Sequence, residues 1–305
     1  MQEDRAFSFT RVAAMARGIQ NPADARSAQT PQVPESSMTD PAPDAQPAPN
    51  APPAPSARYP SLAGRTVFIS GGATGIGEML VRAFHAQGAR VAFCDLDAAA
   101  GNALASALDG TGDVLFLECD VTDVAALQAA IAAARARFGP IRVLLNNAAN
   151  DRRHDMADVT SSDFDWMVAV NFKHQFFAAQ AVADDMRASG GGSIINFGSV
   201  SWMIKGAGYP VYQACKAAAR GLTRALARDL GKQNIRVNSI VPGWVMTERQ
   251  LRLWVKPESH AEIDAAQCLP GRVLPQDIAS MALFLAADDS KMCTAQDYVV
   301  DAGWT

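Results

Sequence analysis

The chain has 305 residues, 49% of them hydrophobic, and its 27 basic and 31 acidic side chains leave a formal charge of −4. That balance excludes a nucleic-acid surface built on basic excess, and no apolar run reaches the roughly 18 residues of a membrane span. Five cysteines without a Cys-x-x-Cys pair argue for a reducing compartment, the cytoplasm, and the four histidines (His85, His154, His174, His260) lack metal-ligand spacing, so no metal is expected.

Between Pro31 and Pro55 proline alternates with alanine, serine and acidic residues, a composition that favours solvated chain over a packed core. A disordered tail is therefore expected over residues 1–57, and one domain over 58–305. Near the start, Arg5, Arg11 and Arg17 stand beside Glu3 and Asp4 with no continuous apolar core, which argues against a targeting peptide. Met38 offers an alternative start of translation.

From Arg65 short apolar runs alternate with helix-length segments, the pattern of an α/β fold whose parallel sheet is covered on both faces. The first predicted strand, Thr66–Ile69, runs into Ser70-Gly71-Gly72-Ala73-Thr74-Gly75-Ile76-Gly77 and then a helix predicted over Glu78–Gln87. Glycines at such a turn allow close backbone approach, and the helix N-terminus behind them offers N–H groups to a pyrophosphate. The second strand, Arg90–Asp95, ends in a carboxylate a little over 20 residues past the first glycine, where it can accept from ribose hydroxyls and repel a 2′-phosphate. Asp95 thus points to NAD rather than NADP. After a third strand over Val114–Cys119, Asp120 and Val121 stand where an acid can reach an adenine.

A helix is predicted over Val124–Phe138, a fourth strand over Ile141–Leu145, and a loop at Asn146-Asn147-Ala148-Ala149. The strand-like run from Ser193 delivers Ser199, and Tyr212 and Lys216 stand four apart on one face of a helix that continues over Ala218–Leu230. A free phenol has a pKa near 10, and lowering it by about 3 units takes roughly 4 kcal/mol, within reach of one neighbouring ammonium and a cationic ring. Ser199 would hold the substrate oxygen against Tyr212. Farther on come a strand over Ile235–Val241, the loop Pro242–Thr247, a lid segment over Glu248–Cys268, an apolar helix over Asp277–Ala287 and a last strand over Tyr298–Asp301.

The glycine loop, Asp120, Asn147-Ala148, Asn171, Ser199 and Tyr212-x-x-x-Lys216 together resemble, in order and spacing, the short-chain dehydrogenase/reductase family, over residues 60–305. The resemblance implies a doubly wound Rossmann-like sheet of about seven parallel strands and hydride transfer with a nicotinamide cofactor. It implies that Asn171 joins Ser199, Tyr212 and Lys216 as a fourth catalytic group that orders a relay water. It further implies that Gly71, Thr74, Gly75, Ile76, Gly77, Asp95, Asp120, Val121, Asn147, Tyr212, Lys216, Pro242, Gly243, Val245 and Thr247 hold the cofactor, and that the chain forms a homotetramer, a dimer being the alternative. Ser70 stands where the family usually has threonine, and Ala149 where it has glycine.

Within the family the sequence resembles the NAD-dependent aldose 1-dehydrogenases, on Asn147-Ala-Ala-Asn150-Asp151 with Arg153-His154, on Asn196 to Trp202, on Ala266-Gln267-Cys268-Leu269 and on the ending Asp301–Thr305. Asn150, Arg153, His154 and Gln213 offer polar groups for sugar hydroxyls, and Trp202 and Trp244 offer apolar walls. In that branch a histidine follows the tryptophan, whereas Met203-Ile204-Lys205 follows Trp202 here. The alternatives are an enzyme for a polyol, another secondary alcohol or a 3-oxoacyl thioester, which would share every reacting group, and a non-catalytic NAD-binding regulator.

Overall fold

The computed structural model describes residues 57–108, 110 and 112–305, so the tail expected over 1–57 lies outside the described residues apart from Ala57. The strands are β1 (Thr66–Ser70), β2 (Arg90–Asp95), β3 (Val114–Glu118), β4 (Ile141–Asn146), β5 (Gly192–Phe197), β6 (Ile235–Pro242) and β7 (Asp297–Val300). They pair in parallel in the order β3-β2-β1-β4-β5-β6-β7. The helices are α1 (Gly75–Ala86), α2 (Ala98–Leu108), α3 (Val124–Phe138), α4 (Ser161–Val168), α5 (His174–Ala188), α6 (Pro210–Leu230), α7 (Glu248–Leu253), α8 (Pro257–Ala266) and α9 (Pro275–Ala286).

All five residues of β1 are buried, because helices cover both faces of the sheet. Val67 and Ile69 pack with Leu80 and Phe84 of α1 and Ile278 and Leu285 of α9. Phe68, one residue out of phase, packs with Leu127 and Ile131 of α3 and Val182 of α5 on the opposite face. Each such side chain contributes about 1.5–3 kcal/mol when withdrawn from water. The strand order reverses beside β1, which pairs with β2 on one edge and β4 on the other. A crevice therefore opens at the carboxyl ends of the strands, where Ser70, Asp95, Asn146 and Phe197 end their runs.

The bounds found for β2 and α3 are those predicted, and local chemistry explains α3. The Asp123 carboxylate accepts from the N–H of Ala125 and Ala126 at 2.8 and 3.1 Å, and Gly139 (φ +85°) turns the chain away with its N–H returned to the Arg135 carbonyl. Helix α1 begins earlier than predicted, at Gly75 rather than Glu78, because the Glu78 N–H already closes a turn on the Thr74 carbonyl at 3.2 Å. The predicted lid contains two helices, α7 and α8. Between α4 and α5 the backbone widens into one π turn, Ala169–Lys173, which points Asn171 inward with no solvent exposure.

Candidate active site

The loop from Ser70 to Gly77 is shaped by close backbone packing. Gly71 (φ +67°) lies against Ala148, where a Cβ would come within 2.7 Å of the Ala148 Cα, and a Cβ on Gly77 would fall 1.8 Å from the Gly71 carbonyl oxygen. The Asn147 side-chain amide donates to the carbonyls of Ser70 and Gly71 at 3.2 and 2.7 Å, so this residue, predicted to touch a cofactor, braces the glycine loop. Asp95 accepts from the N–H of Ala73 at 3.0 Å and of Asp97 at 3.1 Å, one bond on each oxygen. A carboxylate has about four acceptor sites, so two remain for a pair of vicinal hydroxyls. Asp120 is held by the Thr122 N–H at 2.8 Å beside buried Val121. Thr247 caps α7 and lies opposite Gly75, where a Cβ would meet its Cγ2 at 3.3 Å, while Gly243 packs on Asp301 and Val245 is buried in the sheet-side core with Ile76 against it. Pro242 ends β6 at the same edge. These residues form one cradle along the carboxyl ends of β1, β2, β4 and β6.

On the other side of β4 stand the three groups predicted to move a proton. Ser199 leaves β5 in extended conformation, accepts from the Ser201 N–H at 3.2 Å, and stands close enough to the Tyr212 phenol to favour its ionised form. Lys216 is 2% exposed, its ammonium donates to the Phe197 carbonyl at 2.9 Å and it lies 5.5 Å from the centre of the Tyr212 ring. Burial pulls its pKa down to about 8, because a desolvated ammonium is disfavoured. The phenol departs from the prediction of a lowered pKa. Burial pushes Tyr212 up and the charge of Asp151 adds to the rise, while Ser199 and Arg153 pull the other way.

Asn171, predicted to order a water, is already engaged by the protein. Its Oδ1 accepts from the Asn150 N–H at 2.8 Å and its amide donates to the carbonyls of Asn150 and Met167 at 3.1 and 3.0 Å. It clamps the loop after β4 to the π turn and keeps only spare acceptor lone pairs for water. Its neighbour His174 is buried and donates from Nε2 to the Ala148 carbonyl at 3.0 Å; burial, with the nearby Lys216 charge, lowers its pKa to about 3 and keeps it neutral. Sequence reasoning missed His174 because a lone histidine on a helix carries no signal until the fold sets it beneath the loop.

The residues predicted to bind substrate surround this centre in different ways. His154, Arg153 and Gln213 line an open cleft of about 680 Å³ together with Gly206, Ala207 and Pro210, one helical position along from Tyr212 and not containing it. The Gln213 amide donates to the carbonyls of Ser201 and Gly206 at 3.0 and 2.7 Å. The Arg153 guanidinium stacks 3.5 Å above Tyr209 and 5.0 Å from Trp254 of the lid, which makes it a wall. Asn150 caps the Arg152 N–H, Trp202 is half-buried beside Ser201, and Trp244 donates to Gln250 and faces Trp304 at 6.4 Å. His154 Nε2, Trp254 Nε1 and both amide atoms of Gln267 are buried with no partner among the described residues. Such groups are costly to leave unpaired and mark places where a polar ligand can repay them. No group of histidine, cysteine or acidic residues among the described residues could hold a metal ion.

Comparison with known proteins places this arrangement among relatives. A family model described as Enoyl-(Acyl carrier protein) reductase, adh_short_C2, matches residues 71–305. The chain is 46% identical to a D-xylose 1-dehydrogenase of Caulobacter vibrioides over 82% of its own length and 99% of that protein. It is 44% identical to a probable galactose dehydrogenase of Rhizobium meliloti over 81% of its length and 98% of that protein. Among solved structures it is similar to a blue fluorescent protein from a metagenomic library, in complex with NADPH, with a TM-score of 0.74 and 34% identity over 80% of this chain and 99% of that one.

Proposed function

We propose that this chain, which belongs to the short-chain dehydrogenase/reductase family and is an oxidoreductase, uses NAD to oxidise the anomeric carbon of a free aldose of the xylose, galactose or arabinose class to the lactone. Near-full-length kinship to two sugar dehydrogenases carries the reading. The unpaired His154 Nε2, in the cleft lined by Arg153 and Gln213, and Trp254 Nε1, whose ring lies 5.0 Å from the Arg153 guanidinium, support it as polar groups suited to hydroxyls. Glycines that exclude a Cβ, with the Asp95 acceptors beyond them, fit a nicotinamide dinucleotide. When bound, the oxidised nicotinamide supplies the acceptor for hydride.

The chain's own residues do the rest. Tyr212, as phenolate, takes the proton of the C1 hydroxyl; Ser199 fixes that oxygen; Lys216 provides the cation that favours the phenolate and grips the cofactor ribose. Asn171 keeps the loop after β4 in register beneath the substrate. The test is nucleotide reduction followed by absorbance across xylose, galactose, arabinose, fucose, glucose, sorbitol and a simple secondary alcohol. One or two aldoses are expected to be turned over. Activity confined to sorbitol or the secondary alcohol would leave the proton chemistry in place and remove the sugar.

The preference for NAD rests on Asp95, whose charge would face a 2′-phosphate. Wild type is expected to favour NAD over NADP by at least about tenfold in kcat/KM, and Asp95→Asn to narrow that ratio by on the order of tenfold, about 1.4 kcal/mol. An unchanged ratio would assign the selection elsewhere. A cytoplasmic, homotetrameric enzyme with its catalytic domain over 58–305 completes the proposal. Support comes from five free cysteines, from the absence of a membrane-length apolar helix among the described residues, and from Trp166 and Phe176, exposed at 36% and 41% on α4 and α5.

A further inference from the structure

Helix α7 has six residues and buries none of its side chains, so apolar packing contributes little to holding it over the site. Polar contacts to one residue of the loop after β4 hold it instead. Asp151 accepts from Arg249 Nη2 at 2.9 Å on one oxygen and from Gln250 Nε2 at 2.8 Å on the other, and its side chain is 16% exposed. Gln250 continues the connection: its Oε1 accepts from the Trp244 indole at 3.1 Å and its backbone N–H is capped by Thr247 Oγ1 at 3.2 Å. Through Asp151 the lid, the loop along the cofactor cradle and the loop under the substrate become one assembly.

The same loop reaches the proton-moving centre: Arg153, two residues on, stacks 3.5 Å from the centre of the Tyr209 ring, and that ring lies 5.6 Å from the ring of Tyr212. We infer that Asp151 is a positioning residue that couples the seating of α7 to the strength of Tyr212 as a base, an inference that rests on the dehydrogenase reading above. Around Tyr212 stand Lys216 and Cys215 of its own helix, Tyr209 at that helix's N-cap, Ser199 of the loop after β5, His174 near Lys216, and Asp151 and Arg153 of the loop after β4. Asp151 is the negative charge in that set, and it opposes phenolate. With α7 seated, Arg249 lies against Asp151 and compensates its charge; with α7 lifted, the charge is uncovered and the phenol holds its proton more tightly. Closure therefore excludes water and sharpens the base in one motion. Charge-assisted contacts to a partly buried carboxylate are strong enough to hold a short helix and weak enough to release it.

Opposite-signed pH shifts test the coupling. Dehydrogenation needs phenolate, so kcat/KM rises with pH through the base's pKa. Asp151→Asn removes the opposing charge and is expected to move that acid limb down by on the order of half a pH unit, whereas Arg249→Gln uncovers it and moves the limb up by a similar amount. Both variants are expected to raise the sugar KM several-fold, and the double variant to follow Asp151→Asn. Shifts of the same sign, or none, overturn the coupling. A second measurement needs no turnover: trypsin cleavage after Arg249 and Arg252, located by mass, is expected to be several-fold faster in Asp151→Asn, and an unchanged rate overturns the clamp itself. Absence of wild-type turnover on every alcohol tried would remove the dehydrogenase reading and with it the coupling, while the trypsin result still decides the clamp.

Discussion

Tyr212→Phe is expected to lower kcat by at least about 10³-fold while leaving the fold and dinucleotide affinity in place. General-base catalysis by a positioned side chain is worth about 10²–10⁴-fold, and Tyr212 is the phenol that lies beside Ser199 and one helical turn from Lys216. Phenylalanine preserves the ring, which meets Tyr209 at 5.6 Å between centres and a tilt of 46°, so the packing of α6 against its surroundings should survive. Steady-state rates, compared with a fluorescence titration of the dinucleotide, check the expectation. Near-normal turnover would remove Tyr212 from the reaction. Weakened dinucleotide binding with normal kcat would make it a cofactor contact only.

Gly77→Ala is expected to have the other large effect, on binding rather than chemistry. The new methyl would fall 1.8 Å from the Gly71 carbonyl oxygen and 2.9 Å from the Asn147 amide nitrogen. A flexible side chain could swing aside, but a backbone carbonyl within a turn braced by Asn147 cannot do so without moving the loop. Overpacking costs about 1–3 kcal/mol, here toward the upper end, and each kcal/mol lowers Tm by about 2–4 °C in a domain of this size. If that upper-end cost of about 3 kcal/mol falls on the bound state, dinucleotide affinity is expected to weaken on the order of 100-fold. Gly64→Ala serves as the control: its φ of +71° predicts some strain, but its Cβ meets nothing within 4 Å. It should lose stability without losing affinity, and equal losses of affinity in the two variants would contradict the cradle.

The parts of the molecule legible in the sequence are those governed by neighbours along the chain. β2 and α3 were predicted with the bounds they have, since a buried strand is a short apolar run and α3 carries its cap at Asp123 and its stop at Gly139. The spacing of Tyr212 and Lys216 was legible for the same reason, being one turn of one helix. The lid was less so. Neither α7 nor α8 has a strong apolar stripe, and α7 depends on a residue 98 positions before Arg249. The contacts made by Asp151 and His174, and the π turn around Asn171, carried no pattern, because their partners are contributed by elements distant in sequence.

Residue types and spacing by themselves therefore determined the layered α/β architecture, the glycine turn, the acid at the end of β2 and the serine, tyrosine and lysine proposed to move a proton. Burial, and what faces what across the sheet ends, was decided by tertiary structure alone. The i, i+4 lysine suggested a phenol pulled down, yet the folded chain withdraws that phenol from water and sets Asp151 near it, and both raise its pKa. Asn147, expected to touch the cofactor, and Asn171, expected to order a water, also act as braces, because their amides meet backbone carbonyls. The reason is one of range: helix and strand signals act over a few residues, whereas desolvation and charge depend on which distant segments the packed core brings together.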